Sequence, residues 1–116
     1  MEKERRKSPR VQVDVQGELL LGDKSFPANV LNISLEGCLV ETSARPRMRE
    51  VVTLRVRLGM STEEVNLKVI WQSYGQGPGK IGTQFFRMTE DQVHTMVAGI
   101  LGVSPRLDGK DPQNES

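Results

Sequence analysis

Four cationic side chains lie close together near the start of the sequence: Arg5, Arg6, Lys7 and Arg10. A guanidinium group donates a fork of hydrogen bonds to paired acceptors, such as phosphate oxygens or the O6/N7 edge of guanine, and it also stacks on aromatic rings. Pro9 disfavours a helix here because it restricts the residue before it. An extended arm would let Arg6 and Arg10 reach one ligand from different points. Taken alone, such a run is also typical of a solvated basic tail.

A short polar segment, residues 32–37, is predicted to form a tight turn between two apolar segments. Asn32 and Ser34 are short polar side chains that could bind a base edge or a phosphate, and Gly37 would allow close approach of the backbone. The same residue types often only stabilise a turn through their own backbone. Together with the basic run, this turn indicates a pocket for a small, planar, phosphate-bearing anion.

The composition indicates one folded domain. The chain has 116 residues, of which 27% are charged and 36% hydrophobic, and its formal net charge is +1. A protein with this balance is not built to coat nucleic acid or an anionic membrane. No apolar run approaches the ~20 residues of a membrane span, and the N-terminus lacks the apolar stretch of a signal peptide. The single cysteine agrees with a reducing compartment, so we expect a cytoplasmic protein without membrane insertion.

The sequence lacks the residue groupings that catalysis or metal binding needs. One Cys and one His are too few for a conventional zinc site. We find no nucleophile–base pair and no phosphate-binding Gly-Lys-Ser/Thr loop. We therefore expect a protein that is not an enzyme and that needs no cofactor.

Alternation of apolar and polar residues predicts six short β-strands joined by turns. They cover approximately residues 11–21, 26–31, 38–42, 52–58, 65–71 and 81–85. Trp71 and Phe85 are predicted to be core anchors. A loop that contains Arg45, Arg47 and Arg49 is predicted to be solvated.

A single amphipathic helix is predicted after the strands. Thr89 and Gln92 have the spacing of a capping box, and apolar residues then recur at helical intervals to Leu101. Gly102 is the predicted C-terminal stop. We expect a small antiparallel barrel or strongly curled sheet with the helix over one end or flank. Residues 1–9 would form a flexible basic arm, residues 10–102 the barrel and helix, and residues 103–116 a disordered tail.

The order of these features resembles the PilZ domain, a family of bacterial receptors for the second messenger cyclic di-GMP. The resemblance rests on an Arg-x-x-x-Arg arm, Arg6 and Arg10, followed by the motif Asn-x-Ser-x-x-Gly of residues 32–37. Gly82, Phe85 and the segment Val69-Ile70-Trp71 also fit the pattern. The resemblance covers roughly residues 5–101. It implies an all-β fold: a six-stranded antiparallel β-barrel of the split-barrel type with one C-terminal α-helix.

The resemblance also implies roles for individual residues. Arg6 and Arg10 would grip guanine and phosphate. Asn32, Ser34 and Gly37 would hold another part of the ligand. An arginine just before the first motif arginine, here Arg5, is associated in this family with two intercalated ligand molecules. The implied function is a receptor or adaptor whose arm closes over cyclic di-GMP and signals to an unidentified downstream protein.

Two alternatives remain open at this point. Small barrels also bind single-stranded nucleic acid through basic grooves and aromatic platforms. The near-neutral charge and the five aromatic residues argue against that function. The chain could also be a protein-interaction adaptor that has the fold but does not use the ligand. The oligomeric state stays open.

Overall fold

Six strands precede a single helix in the computed structural model, which describes residues 9–104. In chain order the elements are β1 (Val11–Leu21), β2 (Lys24–Ile33), β3 (Gly37–Thr42), β4 (Val51–Leu58), β5 (Ser61–Ser73), β6 (Gly79–Phe85) and α1 (Glu90–Val103). The predicted number and order of strands are confirmed. The chief differences in extent are β2 and β5, each of which begins before its predicted start.

The strands close into a barrel in the order β1-β2-β3-β6-β5-β4, with every neighbouring pair antiparallel. Pairing of residues 17–20 of β1 with residues 53–56 of β4 completes the circle. The predicted antiparallel barrel is therefore confirmed. Closure gives each strand a partner on both sides, which removes the exposed edges of an open sheet.

One face of each strand fills the interior with aliphatic side chains. Those with almost no exposure include Leu19, Val30, Ile33, Val40, Leu54, Leu67, Val69 and Ile81. Met96 and Ile100 of α1 belong to the same apolar cluster, so the helix covers one end of the barrel. In the part of the chain that the structure describes, no helix is both long and apolar enough to cross a membrane.

The helix begins as predicted and ends slightly later. The Thr89 hydroxyl accepts a hydrogen bond from the Gln92 amide at 3.1 Å, and the Gln92 side chain accepts one from the Thr89 amide at 2.9 Å. Gly102 is not the stop, because the helix continues to Val103 and Ser104 caps it. The Ser104 hydroxyl accepts a hydrogen bond from the Asp14 amide at 3.0 Å, which ties the end of α1 to β1.

Two irregularities in strand register change which face of the barrel a side chain occupies. Leu31 is an extra residue where β2 pairs with β3, and Ile70 is an extra residue where β5 pairs with β6. A β-bulge of this kind shifts the alternation of all later residues. Trp71 therefore lies on the outer face with 48% of its surface exposed, so its predicted role as a core anchor is wrong. Asn32, predicted in the turn, lies within β2.

An exposed arginine of the β3–β4 loop contacts the β5–β6 loop. The Arg45 guanidinium donates hydrogen bonds to the carbonyls of Gly75 and Gly77 at 2.9 and 2.8 Å. It also lies 4.5 Å from the centroid of the Tyr74 ring. The Tyr74 hydroxyl donates to the Pro46 carbonyl at 2.7 Å. Arg45 is exposed, as expected for a solvated loop, and it also contacts the carbonyls and the aromatic face that the β5–β6 loop presents.

Candidate functional site

A row of four residues crosses the outer face of the barrel from β2 to β5. Asn32 pairs with Leu39, Leu39 with Gly82, and Gly82 with Trp71. The bulges in β2 and β5 are what place the two end members of this row on the outside. A polar amide and an indole ring therefore stand at opposite ends of the row, with small or partly buried residues between them.

A cavity of about 430 Å³ lies over this row. Arg10, Ser34 and Gly37 line it together with the four residues of the row. Its remaining lining residues are Glu36, Cys38, Ile70, Thr83 and Gln84. We call it the motif cavity, because Arg10, Asn32, Ser34 and Gly37 belong to the two predicted sequence motifs.

Two glycines make the cavity floor possible. A Cβ atom on Gly37 would collide with the carbonyl oxygen of Thr83 on β6. Close approach of the backbone, which was predicted for Gly37, is therefore what its surroundings require. A Cβ atom on Gly82 would lie 3.2 Å from the Cβ of Trp71. The missing side chain at Gly82 leaves the indole close to the sheet surface and leaves open space beside it.

Ser34 holds the turn that borders the cavity. Its hydroxyl accepts a hydrogen bond from the Glu36 amide at 3.1 Å, and its own amide donates to the Gly37 carbonyl at 2.9 Å. The Glu36 carbonyl in turn accepts from the Phe85 amide at 2.9 Å. A hydroxyl that accepts in the turn still has a proton to donate. Ser34 can therefore serve the turn and a bound acceptor at the same time.

Cys38 and Thr83 form a closed polar pair beneath the cavity. The Thr83 hydroxyl donates to the Cys38 carbonyl at 2.8 Å, and the Cys38 sulfur lies 3.5 Å from the same hydroxyl oxygen. Burial raises the pKa of the Cys38 thiol from 9.0 to about 11, although the contact with Thr83 opposes the shift. The thiol is therefore held in its neutral form at physiological pH, which disfavours reaction as a nucleophile.

The cavity offers hydrogen-bonding groups of both polarities and an aromatic face. Among its described lining residues, Arg10 is the only cation and Glu36 the only anion. Within residues 9–104, no group of three or more His, Cys, Asp or Glu side chains could hold a metal ion. This arrangement is suited to binding a planar, polar ligand by stacking and hydrogen bonds.

The structure brings together four of the six predicted site residues: Arg10, Asn32, Ser34 and Gly37. Arg5 and Arg6 lie outside the described residues, as do the predicted N-terminal arm up to residue 8 and the tail from residue 105. The ligand-binding roles of all six residues stay predictions.

Trp71 is the main cavity residue that the strand pattern did not predict. Strict alternation along β5 assigned it to the interior, on the same face as Val69. The signal that could have revealed the bulge is the run of three apolar residues from Val69 to Trp71, which breaks the alternation. The glycine opposite, Gly82, is the second signal, since an isolated glycine in a strand often marks a bulge or a close approach.

Comparison with known proteins finds a match to one protein-family model and to several solved structures. A protein-family model described as the PilZ domain matches residues 4–102. No curated protein matches this chain in sequence.

Several solved structures resemble the chain in fold. The PilZ domain of YcgR from Escherichia coli, solved with c-di-GMP, has a TM-score of 0.66 and 15% identity and covers 85% of this chain and 93% of that chain. The Bacillus subtilis inhibitor of motility MotI/DgrA has a TM-score of 0.67 and 14% identity, covering 88% and 52%. The PilZ domain of CeSA from a cellulose-synthesizing bacterium has a TM-score of 0.60 and 16% identity, covering 81% and 96%.

Proposed function

This chain belongs to the PilZ domain family, and we propose that it is a receptor for cyclic di-GMP that binds its ligand in the motif cavity. The observation that carries the proposal is the convergence of Arg10, Asn32, Ser34 and Gly37 on one cavity. The likeness in fold to the PilZ domain of YcgR, which was solved with c-di-GMP, supports the same ligand.

The chemistry of the cavity suits this ligand. Cyclic di-GMP is a dianion with two guanines, so it presents acceptor pairs, aromatic faces and phosphates together. In our proposal, Arg10 donates to a guanine edge or a phosphate, and the exposed Trp71 indole offers a flat surface for a base. Asn32 and the Ser34 hydroxyl contribute short polar contacts at the other end of the row.

The arm would complete the site. We propose that Arg5 and Arg6 close over the ligand from the N-terminal side, and that Arg5 favours two intercalated ligand molecules. Ordering a mobile segment opposes affinity but creates a new surface. That surface would signal to an unidentified downstream protein. We propose a binding role without catalysis and without a cofactor.

Calorimetric titration of the purified chain with cyclic di-GMP tests the ligand. We expect binding at micromolar protein, and we expect Arg6→Ala or Arg10→Ala to lower affinity at least about tenfold, since each bidentate guanidinium–guanine contact provides about 1–3 kcal/mol. Ser34→Ala should have a smaller effect because it deletes one hydroxyl. Arg57→Ala, on an exposed position of β4 outside the cavity, is the matched control.

An absence of heat with cyclic di-GMP would contradict the proposal. Unchanged affinity in one arginine variant would remove that arginine from the site. Binding of a single-stranded oligonucleotide with steep salt dependence, in place of the dinucleotide, would favour a nucleic-acid-binding barrel instead.

A further inference from the structure

A second concave surface lies between α1 and the start of β5, outside the motif cavity. Its volume is about 630 Å³. We call it the helix groove and define it by its apolar floor: Leu58, Val65, Phe86, Met88 and Met96. It contains none of the residues that line the motif cavity, so an inference about it does not depend on cyclic di-GMP.

The floor of the helix groove is apolar but not fully covered. Val65 and Met96 are buried, whereas Leu58, Phe86 and Met88 remain partly exposed. Met60, at the adjacent β4–β5 turn, has 97% of its surface exposed. Methionine side chains are flexible and polarizable, and they are common on surfaces that receive apolar side chains of a partner.

The rim of the helix groove carries mostly negative charge. Glu63, Glu64 and Asp91 lie along it, and Arg87 is its one cation among the described lining residues. Glu64 is engaged by Arg55 on the outer face at 3.0 Å. Glu63 and Asp91 are exposed, and among residues 9–104 neither has an ion-pair partner.

The groove follows one face of α1. Its helical lining positions are Asp91, Gln92, Thr95, Met96 and Gly99, which are related by three- and four-residue spacings along one face. This face is about 12 Å long at the helical rise of 1.5 Å per residue. It can therefore accommodate about two turns of a second helix lying alongside α1.

We propose that the helix groove binds a cationic amphipathic helix carried by a partner protein. The apolar face of that helix packs on Leu58, Phe86 and Met88. Its lysine or arginine side chains pair with Glu63 and Asp91 on the rim. This mode of recognition combines apolar packing with charge complementarity. The acidic rim determines specificity, because it favours a cationic partner over a neutral or acidic one.

Fluorescence anisotropy with the full chain and a short labelled peptide tests the proposal. The peptide has leucines on one helical face and lysines on the other. We expect micromolar binding, and at least about tenfold weaker binding by Glu63→Lys/Asp91→Lys because its rim charges repel the peptide. Glu90→Lys is the matched control: it changes the neighbouring acidic residue in the first helical turn, but it does not line the groove.

The peptide itself has two controls. A peptide of the same composition with the leucines scattered around the helix should bind at least about tenfold more weakly, because it lacks a continuous apolar face. A peptide with glutamates in place of the lysines should also bind at least about tenfold more weakly, because the acidic rim repels it. Equal binding of all three peptides, or equal loss in the Glu90→Lys control, would overturn the proposal.

Two further results would assign the helix groove to another occupant and would overturn the proposal. One is a concentration-dependent dimer that Glu63→Lys/Asp91→Lys dissociates, since a second copy would then fill the groove. The other is tighter peptide binding by Lys3→Glu/Lys7→Glu, since the chain's own basic segment would then compete for it. Size-exclusion chromatography with light scattering measures the first, and the same anisotropy titration measures the second.

Discussion

Burial determines the chemistry of the one cysteine in the chain. Cys38 lies at the floor of the motif cavity, yet it is only 5% exposed and its sulfur contacts the Thr83 hydroxyl. The sulfur lies 3.5 Å from the Thr83 hydroxyl oxygen, and either atom could be the donor in that contact. An ionised thiolate at this buried position would be poorly solvated.

The raised pKa of the Cys38 thiol makes folding stability depend on pH in the alkaline range. The unfolded chain releases the thiol proton near pH 9.0, whereas the folded chain retains it to about pH 11. Ionisation therefore favours the unfolded state first, and the free energy of unfolding should fall as the pH rises from about 9 to about 11. Urea unfolding at several pH values measures this effect.

The Cys38→Ala variant is the control for that titration, because other groups also ionise in this range. The difference in unfolding free energy between wild type and variant should be constant below pH 9.0 and should shrink between pH 9.0 and about 11. Parallel curves for the two proteins would contradict the assigned pKa.

Trp71 fluorescence provides a direct test of ligand contact in the motif cavity. It is the only tryptophan of the chain, and it is 48% exposed where it lines the motif cavity. Iodide should therefore quench its fluorescence in the free protein. Saturating cyclic di-GMP should reduce that quenching, because a base stacked on the indole excludes the ion. Calorimetric binding without any change in quenching would place the ligand away from Trp71.

At the scale of strands, the part of the fold that could be predicted is the part that obeys regular alternation. Val13, Val15 and Leu19 predict the buried face of β1 correctly, and Thr89 and Gln92 predict the start of α1. These features depend on local spacing and local hydrogen bonds, which the sequence displays directly.

The candidate site was only partly predictable because it depends on departures from alternation. The short motif of residues 32–37 is visible in the sequence, but the outward direction of Asn32 and Trp71 requires extra residues at Leu31 and Ile70. A bulge is fixed by the register between two paired strands, which the pattern of one strand does not contain. The strand pattern of β5 taken alone therefore assigned Trp71 to the core.

Arg45 and Tyr74 link two loops at the end of the barrel opposite the turn that contains Ser34. Arg45 joins the β3–β4 loop to the β5–β6 loop through two carbonyls and the Tyr74 ring. Lysine keeps the charge but cannot reproduce the planar fork or the stacking. We expect Arg45→Lys to lower the free energy of unfolding by about 1 kcal/mol, as measured by urea denaturation.

Arg47→Lys is the matched control for this change, since it makes the same substitution two residues away on another exposed side chain. It should leave the unfolding free energy within about 0.5 kcal/mol of wild type. Equal effects of the two substitutions would show that the contacts of Arg45 do not stabilise the loops.

At the scale of the whole molecule, barrel and helix share one apolar interior. Ile100 of α1 is 1% exposed and belongs to the same cluster as the strand residues. Ile100→Ala should therefore lower the free energy of unfolding by about 2–5 kcal/mol. Helical circular dichroism and Trp71 fluorescence should report the same unfolding midpoint, because neither part has a separate core.

Leu101→Ala is the control on the neighbouring helical residue, which is 41% exposed. It should change the stability by less than about 1 kcal/mol. A helix that melts before the barrel, or equal losses in the two variants, would contradict a shared core.

The hydrogen bond between the Asp14 amide and the Ser104 hydroxyl brings the two ends of the described chain to the same side of the molecule. Domains whose first and last elements lie side by side tolerate insertion into a surface loop of another protein. We therefore expect that this barrel can be inserted into a surface loop of an enzyme. The distance between the two points of insertion would be set by the start of β1 and the end of α1.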